Sequence, residues 1–156
     1  MNNVNMNTVV PTNLMLGEDE DETALLHQML VEAQHYLEGF TWCRGFSETY
    51  YGVGVPGVIA VFLFHIKVSD DVVDKWLWIV VGDVPGAYIV PDNAPDPVSA
   101  LKIYCDLMSD WVDAVRSAAP LTDVFPVNAA PDIENAKLLA RRIKLIRTEV
   151  IPAFDS

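Results

Sequence analysis

The chain is short of positive charge: Lys and Arg number ten in 156 residues against 22 Asp and Glu, a formal charge of −12. Each phosphate contact in a nucleic-acid complex wants a Lys or Arg, so this balance argues against a nucleic-acid partner. It argues equally against a resting place on an anionic membrane. Cysteine is scarce too. Cys43 and Cys105 stand 62 positions apart, outside any CxxC spacing, and read as reduced thiols of a cytoplasmic protein. Long apolar runs are missing: Val58 to Phe64 is the longest and is followed by His65 and Lys67, far below the roughly 20 residues of a membrane span. The Asn-rich start has neither the basic region nor the apolar stretch of a secretion signal. Several catalytic motifs are absent as well, namely a Walker loop, His-Glu-x-x-His and a Gly-x-Ser-x-Gly elbow. Asp70, Asp71 and Asp74 do not follow the calcium-loop spacing. The reading therefore assigns no catalytic residue, no metal and no cofactor.

What the chain does have is apolar substance, 51% of its residues, enough at this length to bury a core without a disulfide or metal. Residues 1–17 read as a flexible arm and residues 18–156 as a single domain. Glu18 to Glu22 opens a first helix, its negative charge complementing the helix dipole. Leu25, Leu26, Met29, Leu30, Ala33 and Leu37 form its apolar stripe, with Gly39 as the stop. Residues 40–56 read as a loop rich in aromatics and glycine. Gly57 to Val68 reads as a central strand, apolar on both faces, and Lys75 to Val81 as its antiparallel neighbour. A short third strand over Ala87 to Val90 follows. Asp96-Pro97 opens a helix striped by Leu101, Tyr104, Cys105, Met108, Trp111, Val112 and Val115. Asp132 opens the last helix, which runs to Pro152. The expected fold is α+β: an antiparallel or mixed sheet of two to four strands packed with three helices, in the order α-β-β-(β)-α-α.

Four features bear on chemistry. Glu32-x-x-His35 with Glu38 has dimetal-bundle spacing, but a second Glu-x-x-His is missing, so a solvated helix face is the better reading. The loop 40–56 offers Trp42, Cys43, Arg44, Tyr50 and Tyr51, which with His65, Trp78 and Asp83 form a hypothetical small-ligand pocket. Packing of these aromatics into the core is the simpler alternative. Trp76 and Trp78, two apart on one strand face, lack the positive groove of a single-strand binder and read as core or interface. Finally, Lys137, Arg141, Arg142, Lys144 and Arg147 place half of all positive charge on the last helix. Against Asp132, Glu134 and Glu149 that helix nets +2, leaving −14 for the rest. Lys137, Arg141 and Lys144 share one face and form a basic patch, suited to an acidic partner or to acidic groups of a second copy.

Through Lys75-Trp-Leu-Trp-Ile-Val-Val-Gly-Asp-Val-Pro-Gly-Ala-Tyr88 the chain resembles a group of small bacterial proteins of unknown function. Those share a tryptophan-rich strand ending in Gly-Asp-(Leu/Val)-Pro. The likeness continues through Asp96-Pro97, the helix around Tyr104 to Val112, and Phe125-Pro-Val127. It implies a bacterial cytosolic protein and carries no activity. The functional expectation is a protein-interaction or self-associating module, immunity- or inhibitor-like in one version, working as a homodimer or with a protein partner. The alternative is a ligand binder or enzyme built on the 40–56 loop.

Overall fold

The computed structural model describes residues 3–68 and 74–155. The chain divides into two compact units, Met1–Ala100 and Leu101–Ser156.

Among the described residues, the first unit is a five-stranded sheet with one α-helix and three short 3-10 turns. Its strands are β1 (Val10–Pro11), β2 (Gly45–Val55), β3 (Ile59–Lys67), β4 (Asp74–Gly82) and β5 (Ala87–Ile89), and helix α1 spans Glu20–Glu38. The strands lie in sequence order and every pairing is antiparallel. The α+β class holds, but with five strands, one more than the widest expectation, and no parallel pair.

Two elements were hidden by composition. The stretch read as a loop is mostly β2, an eleven-residue strand. Its glycines disguise it, and two register shifts, at Phe46/Glu48 and at Tyr51/Val53, break its alternation. Gly52 is required there, because Pro97 occupies the space that a Cβ would need. The other hidden element is β1. Residues 4–16, read as part of an arm, lie along the sheet: Val10 pairs with Tyr51, Pro11 with Tyr50, and Val4, Val9 and Met15 are buried. The turn expected over 69–74 falls largely outside the described residues.

α1 begins where Asp19 caps it, its carboxylate accepting from the Glu22 N–H at 2.8 Å. Leu26, Met29, Ala33 and Leu37 then pack on Ala60, Phe62, Phe64 and Ile66 of β3 and on Leu77, Ile79 and Val81 of β4. Burial of each large side chain contributes roughly 1.5–3 kcal/mol. The opposite sheet face is buried as well, with Ile59, Val61, Leu63, Trp78 and Val80 each under 1% or at 1% exposure. This two-sided burial is why β3 reads as an unbroken apolar run. On that face the Trp78 indole N–H donates to the Ala94 carbonyl at 2.8 Å.

α2 (Pro97–Arg116) starts in the first unit, with Asp96 accepting from the Ser99 N–H at 2.8 Å, and continues into the second. There, Leu101, Tyr104, Cys105, Met108, Trp111, Val112 and Val115 are all buried. α3 (Ile133–Leu145) is capped by Asp132 and buries Ala136, Leu139 and Ile143. Instead of ending before Pro152, the helical path runs through a five-residue π turn, Ile146–Val150, into a last turn at Ile151–Phe154. Two ion pairs tie α2 to this terminal stretch: Asp106 with Arg147 at 2.9 Å and Lys102 with Asp155 at 2.8 Å.

Candidate functional site

The sheet itself distributes the residues of the hypothetical pocket. Tyr50 and Tyr51 are consecutive on β2 and so point to opposite faces. Tyr51 rests on Phe62 (ring centroids 5.9 Å apart) on the α1 side, whereas Tyr50 faces Trp76 across 6.0 Å on the other. Trp42 joins the α1 side. It stacks on Phe40 at 4.9 Å and meets Tyr88 edge-on at 5.2 Å, and Cys43 packs against the same core. Trp78 is fully enclosed on the far face.

The charged members separate along the strands. The Arg44 N–H donates to the Lys67 carbonyl at 2.7 Å, at one end of β3, while the Asp83 N–H donates to the Val58 carbonyl at 2.8 Å, at the other. His65 pairs with Trp76 and Ile59 with Gly82, a separation of six residues or about 20 Å of strand. Arg44, His65 and Asp83 therefore do not converge, and the eight residues do not line one pocket. Trp42, Cys43 and Tyr51 serve the core, as the packing alternative holds. Asp83 instead borders an acidic groove of about 370 Å³ with Glu32, Gln28 and Gly57.

Around His65 a different cluster forms, which sequence reasoning located only through His65, Tyr50 and Trp76. The imidazole stacks on Trp76 at 4.2 Å with 10° between the rings. The β2 bulge brings both Ser47 and Glu48 to the same ring: Ser47 Oγ lies 2.9 Å and Glu48 Oε2 3.3 Å from His65 Nδ1. The Tyr50 hydroxyl donates to the other Glu48 oxygen. This holds the Glu48 carboxyl below its ordinary value, with His65 adding to the effect. Serine and carboxylate share one ring nitrogen, whereas a Ser-His-acid relay needs them on opposite nitrogens. The cluster is thus a polar clasp across β2, β3 and β4 rather than a nucleophile. Nothing in composition or spacing marks Ser47 and Glu48, because a bulge decides their placement.

The surroundings of the two thiols do not activate them. Burial raises the Cys43 pKa and pushes Cys105 up to about 11, so both stay protonated at neutral pH. Among the described residues, no three His, Cys, Asp or Glu side chains gather as a metal site. Nor, among them, is any helix long and apolar enough to cross a membrane.

Charge is distributed unevenly between the units. The first carries three basic residues against fourteen acidic ones, the second seven against eight. On α3, Lys137, Arg141 and Lys144 are exposed, and no described residue forms an ion pair with them. Leu138 and Leu145 are 47% and 41% exposed, one heptad apart on the same side of the helix. Arg147 and Arg142 are engaged elsewhere, Arg147 with Asp106. On the first unit, Glu18 to Asp21 are exposed at the start of α1, and Leu14 and Leu16 beside them are 64% and 76% exposed. The chain therefore presents a basic–apolar stripe and an acidic–apolar lip. No protein-family model, no curated protein and no solved structure matches the chain.

Proposed function

We propose that the protein is a self-associating interaction module, in which the α3 stripe of one copy receives the acidic lip before α1 of another. The observation that supports this reading most is the pairing of exposed leucines with opposite charge on the two surfaces: Lys137, Leu138, Arg141, Lys144 and Leu145 on one, Leu14, Leu16 and Glu18 to Asp21 on the other. Each copy carries both surfaces, so copies can associate through the same stripe-to-lip contact, the simplest closed form being a dimer with two reciprocal contacts. Exposed ion pairs contribute only about 0.2–1 kcal/mol each. The leucines must supply the remainder, at roughly 25 cal/mol per Å² of apolar surface covered.

Charge reversal tests the arrangement. A variant with Lys137→Glu, Arg141→Glu and Lys144→Glu is expected to be monomeric by light scattering, as is one with Glu18→Lys, Glu20→Lys and Asp21→Lys. Mixed together they restore both contacts and form a heterodimer. A wild-type protein that stays monomeric at high concentration and low salt would refute the proposal, and so would a mixture that does not associate.

A further inference from the structure

The second unit holds a groove that shares only Lys144 with the self-association stripe. It encloses about 300 Å³ between α2 and the α3–π-turn segment, at the lower end of the size of small-ligand sites. Its floor is apolar, made by Val112, Ala140 and Ile143. Three cations border it: Arg116 in the last turn of α2, Lys144, and Arg147 from the π turn. Ser109 adds a hydroxyl, and Asp113 is the one carboxylate among the lining residues. The wide turn is what carries Arg147 to this lip, and π turns inserted in α-helices recur at functional sites. Asp106 takes one N–H of Arg147, at Nη2. A guanidinium has five such donors, so Asp106 orients the group and leaves others for a ligand. Arg116 and Lys144 form no ion pair with a described residue.

We infer that this groove binds a small organic phosphomonoester, with the phosphate among Arg116, Lys144 and Arg147 and the organic part on the apolar floor. Three cations outnumber Asp113 and the Asp106 paired with Arg147, and it is the guanidinium forks, which match phosphate oxygens two at a time, that favour a phosphate over a carboxylate. The apolar floor separates this ligand from inorganic phosphate, which has nothing to place there.

Phenyl phosphate is the probe, followed by calorimetry and amide chemical shifts on the full chain, with inorganic phosphate and benzoate as comparisons. Saturable binding is expected, at least tenfold tighter than either comparison ligand. It should weaken several-fold between pH 7.5 and pH 5, as the dianionic ester takes up one proton near pH 6 and becomes a monoanion. Arg116→Ala, on an exposed side chain, should cost at least tenfold. Arg147→Lys keeps the charge near Asp106 but loses the fork, and should weaken binding as well. Lys137→Ala with Arg141→Ala disables the α3 stripe and should leave phenyl phosphate binding unchanged, so the two proposals fail separately. Absence of saturable binding, benzoate binding as tightly as phenyl phosphate, or an Arg116→Ala variant with unaltered affinity would each overturn the inference.

Discussion

Replacing Trp78 with phenylalanine tests how the first unit is held together. The indole is completely buried, and its N–H donates to the carbonyl of Ala94, itself completely buried, at 2.8 Å. Phenylalanine keeps an aromatic body between the cross-strand neighbours Leu63 and Ile89 but has no donor. A buried acceptor left unsatisfied costs about 1–3 kcal/mol. The volume lost from indole to phenyl adds about 1 kcal/mol, a fraction of the 3–5 kcal/mol seen for complete truncation. The expected loss is therefore about 2–4 kcal/mol. With a urea dependence of about 2 kcal/mol per molar, that moves the unfolding midpoint down by about 1–2 M. Trp76→Phe is the internal control. Trp76 lies on the same strand face two residues away, but it is half-buried and its contacts are the stacks with His65 and Tyr50, which a phenyl ring largely retains. Its cost should stay below about 1 kcal/mol. Urea unfolding followed by far-ultraviolet circular dichroism compares the two. Equal costs, or a loss below about 1 kcal/mol for Trp78→Phe, would refute the claim that the Trp78–Ala94 bond anchors the chain ahead of α2.

Gly82 has φ +138°, and a Cβ there would collide with the Val58 backbone. Gly82→Ala should destabilise by more than about 2 kcal/mol in urea unfolding, while Gly45→Ala, at φ +144° but with open space around it, should cost only the backbone strain, about 1 kcal/mol. Ala118 ends α2 in the left-handed region (φ 55°), with the Ala119 N–H donating to Ala114 and the Ala118 N–H to Val115. Glycine suits that closure, so Ala118→Gly should raise stability by about 1 kcal/mol, seen as a later urea midpoint. Burial pushes the Tyr51 hydroxyl from its ordinary value of 10.0 up to about 12, and raises Tyr36 further. The folded chain thus holds protons that the unfolded chain releases, so the tyrosines lower stability above about pH 10, on top of the decline that Cys105, raised from 9.0 to about 11, begins near pH 9. The slope is at most about 1.4 kcal/mol per pH unit per tyrosine. Tyr51→Phe should flatten that decline in pH-dependent urea unfolding, and an unchanged slope would contradict the assignment.

What the sequence discloses follows from how local each determinant is. β3 and β4 are legible because burial on both faces leaves uninterrupted β-branched and aromatic runs. The helices are legible because Asp19, Asp96 and Asp132 cap them through contacts three residues away. β2 is not, since Gly45, Gly52 and Gly54 imitate a loop while serving a bulge and the close approach of Pro97. β1 is two residues long and exists only by pairing with β2, a non-local contact that composition cannot carry. The same distinction governs the sites. Lys137, Arg141 and Lys144 were gathered by helical spacing alone, and they are exposed together. The residues assembled from the 40–56 loop were neighbours in sequence only, and strand alternation sends Tyr50 and Tyr51 to opposite faces.

The sheet's edges bear on how copies of this chain can meet. A long exposed edge strand invites association by strand pairing, and here the edges are β1, two residues ending in a proline, and β5, three residues. They cover only two residues of the eleven-residue β2 and three of the nine-residue β4, so strand addition along β2 is the competing mode of association. Leu14, Leu16, Leu138 and Leu145 are exposed outside the sheet, each beside charge of one sign. Self-association by strand addition would persist in high salt and ignore charge reversal. Contact between the lip and the stripe weakens as salt screens it, since exposed charges lose most of their interaction beyond about 8 Å at physiological ionic strength. Raising salt from about 0.01 to 0.5 M should therefore weaken the dimer several-fold, and an association that strengthens or stays constant over that range would assign it to the leucines without the charges.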